Sequence, residues 1–239
     1  MGFNINDLIL WSDDSLLVID KPAGLPTLPD GYDPDAPYLK GVLLPDFGPL
    51  WIVHRLDRDT SGVMVIARSP QAHRALNTQF QEHRVAKVYH ALVIGEPEWT
   101  EKDVDLPLRP NGDRRHRTVV DPQRGRPALT GMRVLERLSR FTLIEAIPKT
   151  GRTHQVRAHL SAQALPIACD ALYGGGKSIY LSQIKPHSRL GTEPEIPLID
   201  RMALHARSVA FLHPITQVAL SFEAPYPEDF TAFLQALRA

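Results

Sequence analysis

The run His54-Arg55-Leu56-Asp57-Arg58-Asp59-Thr60-Ser61-Gly62 sets a carboxylate between two arginines and ends in turn-forming residues directly before the apolar stretch 63–67. In that setting Asp57 could act as a nucleophile, a general base or half of a structural ion pair, and residue type alone leaves all three open. Asp59 is the one other acid close by, and its neighbours place it toward solvent. The ten histidines raise the question of a metal. His154 and His159 lie five apart without an HExxH pattern, and the lone Cys169 has no partner at zinc-site spacing, so no metal site is expected. Gly174-Gly175-Gly176-Lys177-Ser178 lacks the earlier glycine of a phosphate loop, because position 171 is Ala171; it reads as a flexible loop.

Short strands and turns must position these groups. Residues 15–20 form an apolar run stopped by Lys21-Pro22-Ala23-Gly24, a strand entering a turn. The segment 26–49 carries so many prolines and glycines that it reads as loop, leading to Trp51-Ile52-Val53 and the Asp57 run. Residues 62–68 are strand-like, and the spacing of Ala72, Ala75, Leu76, Gln79 and Phe80 predicts a helix from Pro70 to about His83. Residues 87–95 alternate as a strand, and 130–138 with 141–147 as a hairpin. Val156, His159, Leu160 and Gln163 have helical spacing, with Thr153 as the expected cap. Residues 204–212 and 218–222 make a last strand pair around His213-Pro214, and 229–237 a closing amphipathic helix. Strands come in runs and outnumber helices, which predicts an α+β fold with a mainly antiparallel sheet. The segment 174–197, rich in Gly, Pro and Ser, is the expected excursion from the core.

At 239 residues, 43% of them apolar and 23% charged, the chain can bury a full core, and one compact unit is expected. No stretch reaches the roughly 18 uncharged apolar residues of a membrane span. The opening Met1-Gly2-Phe3-Asn4-Ile5-Asn6-Asp7 lacks the basic region and cleavage site of a secretory signal, and a single cysteine excludes an internal disulfide, so a cytoplasmic setting is expected. Net charge is zero, yet residues 102–157 hold 13 Lys and Arg against 6 Asp and Glu. Much of that excess is arginine, at 109, 114, 115, 117, 124, 126, 133, 137 and 140. A solvated basic face would explain it; the planar guanidinium fork, better matched to phosphate than a lysine ammonium is, favours a polyanion.

The stretch HRLDRDTSGVMVIA resembles the signature of the RluA-type pseudouridine synthases. Lys87-Val88-Tyr89 is similar to that family's Lys-x-Tyr strand, and Pro148-Lys149-Thr150-Gly151-Arg152-Thr153-His154-Gln155-Val156-Arg157-Ala158-His159 to its third motif, in the family's order. Weaker likeness at Asp20-Lys21-Pro22-Ala23-Gly24-Leu25 and at Leu204-His205-Ala206 extends the resemblance over nearly the whole chain. The resemblance implies a pseudouridine synthase fold, a sheet split into two halves with flanking helices and a central cleft, and isomerisation of uridine to pseudouridine in ribosomal or transfer RNA without a cofactor.

It implies roles as well. Asp57 carries the reaction, by attack on ribose C1′ or uracil C6 or by assisting uracil loss. Arg152 keeps Asp57 ionised, and Tyr89 stacks on the uracil. Arg55 enters the RNA stack that the target leaves, His54 shapes the loop on the substrate side, and Thr60 and Leu204 belong with the substrate-binding group. Arg109, Arg114, Arg115, Arg117, Arg124 and Arg126 form the expected RNA-binding patch. The chain begins almost directly with a catalytic-domain strand, so residues 1–239 are read as one catalytic domain without a separate N-terminal S4 module, acting as a monomer. Two other readings compete. A non-catalytic RNA-binding module would explain the basic segment but not Asp57, Tyr89 and Arg152 together, and a nucleoside hydrolase would need a second acid or a metal to activate water.

Overall fold

A computed structural model of the protein describes residues 5–29, 33, 35–185 and 194–239. Residues 1–4, weighed above as a signal, 30–32 and 34 in the segment read as loop, and 186–193 in the expected excursion lie outside the described residues. A 3-10 turn, Ile5–Leu8, precedes β1 (Ile9–Ser12), β2 (Leu16–Lys21), α1 (Leu39–Phe47), β3 (Trp51–Ile52), β4 (Ser61–Ala67), α2 (Pro70–Gln81) and β5 (Ala86–Ile94). Then come β6 (Glu101–Asp105), β7 (Leu108–Arg109), β8 (Val119–Val120), β9 (Leu129–Leu138), β10 (Phe141–Pro148), α3 (Gln155–Ala162), α4 (Leu181–Ile184), β11 (Leu204–Leu212), β12 (Ala219–Glu223) and α5 (Glu228–Arg238). The fold is α+β and its strand pairing is mainly antiparallel. The chain divides into two compact units, Met1–Val88 with His205–Pro225, and Tyr89–Leu204 with Tyr226–Ala239.

The first unit is built on β4, which is buried at every position, as an uninterrupted apolar run demands when both faces are covered. It pairs antiparallel with β2 from Leu16↔Ala67 to Lys21↔Gly62. Its other edge takes β3 at Ile66 and Ala67 and, in parallel, β11 at Ser61 and Gly62. Gly62 is required there: its φ is +113°, and a Cβ would sit 2.2 Å from the carbonyl oxygen of Ala206. In α2 the Ser69 hydroxyl caps the helix by accepting from the Ala72 N–H, and Pro70 spends no hydrogen bond in the first turn. Buried Gln79 ties α2 to β11 by exchanging two hydrogen bonds with the main chain of Leu212.

In the second unit, β9 and β10 form the expected hairpin, closed at Ser139-Arg140, with β5 along β10 and β6 along β9. Its core joins Ala91, Leu92, Val93, Phe141 and Ile144 to Leu160 of α3 and to Phe230, Phe233 and Leu234 of α5.

Four local expectations need correction. Segment 26–49 contains α1 despite Pro45, because Leu39 and Leu43, one helical turn apart, are both fully buried; Gly48, at φ +67°, ends it. Thr153 does not cap α3; His154 does, in a left-handed conformation with no side-chain cap. Residues 174–176 form a tight turn, not a flexible loop: a Cβ on Gly175 would lie 1.7 Å from the Ile167 oxygen, and Gly174 and Gly175 both donate to the Asp170 carbonyl. Strands β6 to β8, in the polar segment before β9, were not anticipated. Among the described residues no helix is long and apolar enough to cross a membrane.

Candidate active site

Asp57 lies, half-buried, on the loop between β3 and β4 in the first unit, and its two neighbours are fixed through their carbonyls. The Thr27 hydroxyl donates to the Leu56 oxygen at 3.1 Å. The Arg58 oxygen accepts from the Gly24 N–H at 2.9 Å and from the Lys21 ammonium at 3.0 Å. Lys21 is fully buried, and its other donors reach the carbonyls of Pro22 and Leu25, both at 2.8 Å. Three N–H groups meeting three carbonyls is how a buried ammonium avoids an unmatched desolvation cost. The Thr60 N–H closes the loop onto the Asp57 carbonyl, and Arg58 Nε donates back to the Gly24 oxygen. Asp59 is exposed at the tip. Sequence reading treated 20–25 as a weak likeness only and missed Lys21, whose signal is a lysine ending an otherwise apolar strand.

His54 serves the frame. Between its pairings with β11 and β3, the free edge of β4 leaves the Val65 N–H without a strand partner, and His54 Nε2 accepts it at 2.9 Å. The ring stacks on Phe80, with centroids 4.7 Å apart. Enclosure by the chain, then the nearby Lys87 charge, pushes the imidazole pKa down to about 3, so His54 is neutral. The unfolded chain, with the ordinary value of 6.5, therefore binds an extra proton between about pH 6.5 and 3. Its stabilisation is complete above that range and is lost as pH falls through it. Acidification from pH 7 to 4 is expected to lower the melting temperature roughly 5–10 °C further in the wild type than in His54→Gln. Parallel melting curves for the two across that range would remove His54 as the titrating group.

Thr60 is 2% exposed, and Ser61 Oγ bonds His205 Nδ1 at 3.0 Å, so the turn residues also belong to the frame. Leu204 is buried in the core of the second unit. Of the four residues grouped with the substrate, these placements leave Arg55 as the one with an exposed side chain.

In the second unit Tyr89 stands half-buried in β5 opposite Ala146 of β10, its ring against the core. Arg152 sits ahead of α3, with its N–H on Gln155 Oε1 and its Nε on the Pro127 carbonyl at 2.9 Å. Gln155 in turn donates to the Leu129 oxygen and to Thr130 Oγ1, fastening the third motif to β9.

The six patch arginines separate into two kinds. Arg109 pairs with Asp121 at 2.6 Å and Arg117 with Asp113 at 2.7 Å. The Arg117 side chain holds the Asp113 carboxyl below its ordinary range, and the Arg124 main-chain N–H, then Arg109, does the same for Asp121. Arg114, Arg115, Arg124 and Arg126 are exposed, and Arg115 also donates to the Ala171 carbonyl. Sequence reading passed over Arg157, which makes a two-pronged bond to Asp170 at 2.8 and 3.0 Å and lies 4.9 Å from the Tyr173 ring centroid. At 11% and 2% side-chain exposure that pair is the most enclosed charge cluster of the third motif. Only the chain's return after α3 brings Asp170 to it, so no local spacing announces the pair.

The family model described as RNA pseudouridylate synthase matches residues 15–162. Ribosomal large subunit pseudouridine synthase D of Pseudomonas aeruginosa is 39% identical over 236 residues, spanning 96% of this chain and 71% of that protein. Synthase C of Vibrio vulnificus is 37% identical over 98% of this chain and 70% of its own length. Among solved structures, human RNA pseudouridylate synthase domain containing 4 superposes with a TM-score of 0.73 at 28% identity, covering 96% of this chain and 92% of that one.

Proposed function

Because the chain belongs to the RNA pseudouridylate synthase family, isomerases of uridine in RNA, we propose that it converts uridines of structured ribosomal or transfer RNA to pseudouridine with Asp57 as the reacting carboxylate. Its relatives carry the name of large-subunit ribosomal synthases, which favours ribosomal RNA. The observation that carries the reading is a half-buried aspartate whose two flanking carbonyls are tied down by Lys21, Gly24 and Thr27. Such anchoring orders a nucleophile in advance, which is where much of a positioning gain arises.

In this reaction the N1–C1′ bond breaks, the uracil turns, C5 bonds C1′, and C5 loses a proton while N1 gains one. Nothing is oxidised or reduced, so a carboxylate that splits the step in two suffices. The three entries open to Asp57, attack at C1′, attack at C6 and assistance to uracil loss, share this balance. Extruding the nucleotide costs a few kcal/mol, and exposed Arg55 is the planar cation we assign to the vacated stack. Tyr89 offers a ring face to the uracil, a contact worth roughly 1–3 kcal/mol. The positive charge that favours an ionised aspartate falls to the third motif. There we assign it to Arg157 ahead of Arg152, since Arg157 is enclosed and oriented by Asp170, whereas Arg152 spends its Nε on a carbonyl and suits an RNA phosphate. In this reading the chain works in the cytoplasm as a monomeric catalytic domain. The test is pseudouridine mapping in large-subunit ribosomal RNA and transfer RNA incubated with the wild type and with an Asp57 variant.

The same reading gives the exposed arginines of 114–126 to flanking phosphates. Charge reversal at Arg114, Arg124 and Arg126 together is expected to weaken RNA binding about 100-fold near 0.1 M salt and to reduce the salt slope by two to three. Arg117 is left intact, since its bond to Asp113 supports the turn. Affinity unchanged across a salt series would exclude the patch.

A further inference from the structure

We infer that Tyr173 is the positioning residue that presents the arginine-bearing segment 107–128 to RNA, through the two bonds of its hydroxyl to the main chain of Thr118. The inference rests on the assignment of that segment to RNA phosphates.

The segment has little regular structure of its own, two strands of two residues each joined by the loop that carries Arg114 and Arg115. Its point of attachment is Thr118, which is 1% exposed. The Tyr173 hydroxyl accepts from the Thr118 N–H at 2.9 Å and donates to the Thr118 carbonyl at 3.0 Å. Binding both polar main-chain groups of one residue fixes its orientation as well as its place. The Tyr173 ring packs with Leu108, Ala128 and Ala158, so one side chain joins both ends of the segment to α3. Two more contacts rest on the same turn: Arg115 Nη2 donates to the Ala171 carbonyl at 3.0 Å and Arg117 Nη1 to the Leu172 carbonyl at 3.4 Å.

Tyr173 is itself immobilised. Its N–H reaches the Asp170 carbonyl at 3.1 Å, Asp170 is locked by Arg157, and Gly175 leaves no room for the turn to shift. Burial raises the phenol pKa, so the hydroxyl keeps the proton that it donates. Arg114 and Arg115 stand just before Thr118, and Arg124 and Arg126 follow it. Their ordering is thus met during folding and need not be met on binding.

The test compares wild type, Tyr173→Phe, Arg114→Ala and the double variant for binding to an in vitro transcript of large-subunit ribosomal RNA over a salt series, with hydrogen exchange followed across 107–128. Tyr173→Phe keeps the ring and removes both hydroxyl bonds to Thr118, together with the longer 3.2 Å contact of the hydroxyl with His154 Nδ1. We expect about tenfold weaker binding, a salt slope lower by about one, faster exchange in 107–128, and little added loss from Arg114→Ala in that background. A purely structural role would lower the melting temperature while the two affinity losses stayed additive, and additive losses or unaltered exchange overturn the inference. If Arg114→Ala has no effect on wild-type binding, the assignment of the segment to RNA fails first, and presentation to RNA falls with it. Should Tyr173→Phe not fold, Arg117→Lys loosens the same seat at constant charge and must show the same coupling to Arg114→Ala; additivity there counts equally against the inference.

Discussion

Asp57→Asn is expected to yield a folded protein that binds RNA within about threefold of wild type and forms pseudouridine at least about 10,000-fold more slowly, the scale of loss seen when a reacting group is removed from a unit that acts together. The fold should survive because the contacts that order this loop run through main-chain carbonyls of Leu56, Asp57 and Arg58. The amide keeps the carboxylate's shape and loses its charge and its capacity to add to carbon. Asp59→Asn is the matched control: that side chain is exposed at the loop tip, and its loss should leave at least half the activity. Single-turnover measurement with carbodiimide mapping of the product reads both variants. An Asp57→Asn enzyme within tenfold of wild type would move the chemistry to another group.

The second large effect is expected from Lys21→Met. Replacing a buried charge by an apolar side chain of similar length is often neutral or stabilising when its partner leaves with it. Here the partners remain. The carbonyls of Pro22 and Leu25 lose the ammonium, and Arg58 keeps only the Gly24 N–H. Leaving such acceptors unmatched costs about 1–3 kcal/mol each, so a loss of roughly 3–5 kcal/mol and about 10 °C in melting temperature is expected. Activity should fall further than stability explains. At 25 °C, where the variant is still folded, turnover is expected to drop about 100-fold, since an ångström of misplacement at a reacting group costs that much. Calorimetry paired with single-turnover rates separates the two effects. A variant that melts early yet turns over normally would show that Lys21 supports the fold without positioning Asp57.

How much of this could be read along the chain follows from the range of the forces involved. The apolar run of β4, the alternation of β9 and β10 and the spacing of α2 were legible because each records a local backbone period together with the number of faces it buries. The Asp57 box and the Tyr89 strand were legible by residue type. α1 was not, because Pro45 and the surrounding glycines outweigh Leu39 and Leu43 until tertiary burial is counted. The division of the patch into paired Arg109 and Arg117 and exposed Arg114, Arg115, Arg124 and Arg126 was hidden for a related reason, since a guanidinium's partner is set by where two turns meet. Sequence by itself determined the family, the α+β class and the identity of the candidate carboxylate, all properties of side-chain type and short-range pattern. Tertiary structure alone decided that Lys21 orders the loop, that His54 serves as a strand partner, and that Tyr173 and Asp170 join the arginine segment to α3. Lys21 and Tyr173 act on main-chain groups, which every residue possesses, and Asp170 reaches Arg157 only across a chain reversal, so no residue type marks these partners in advance.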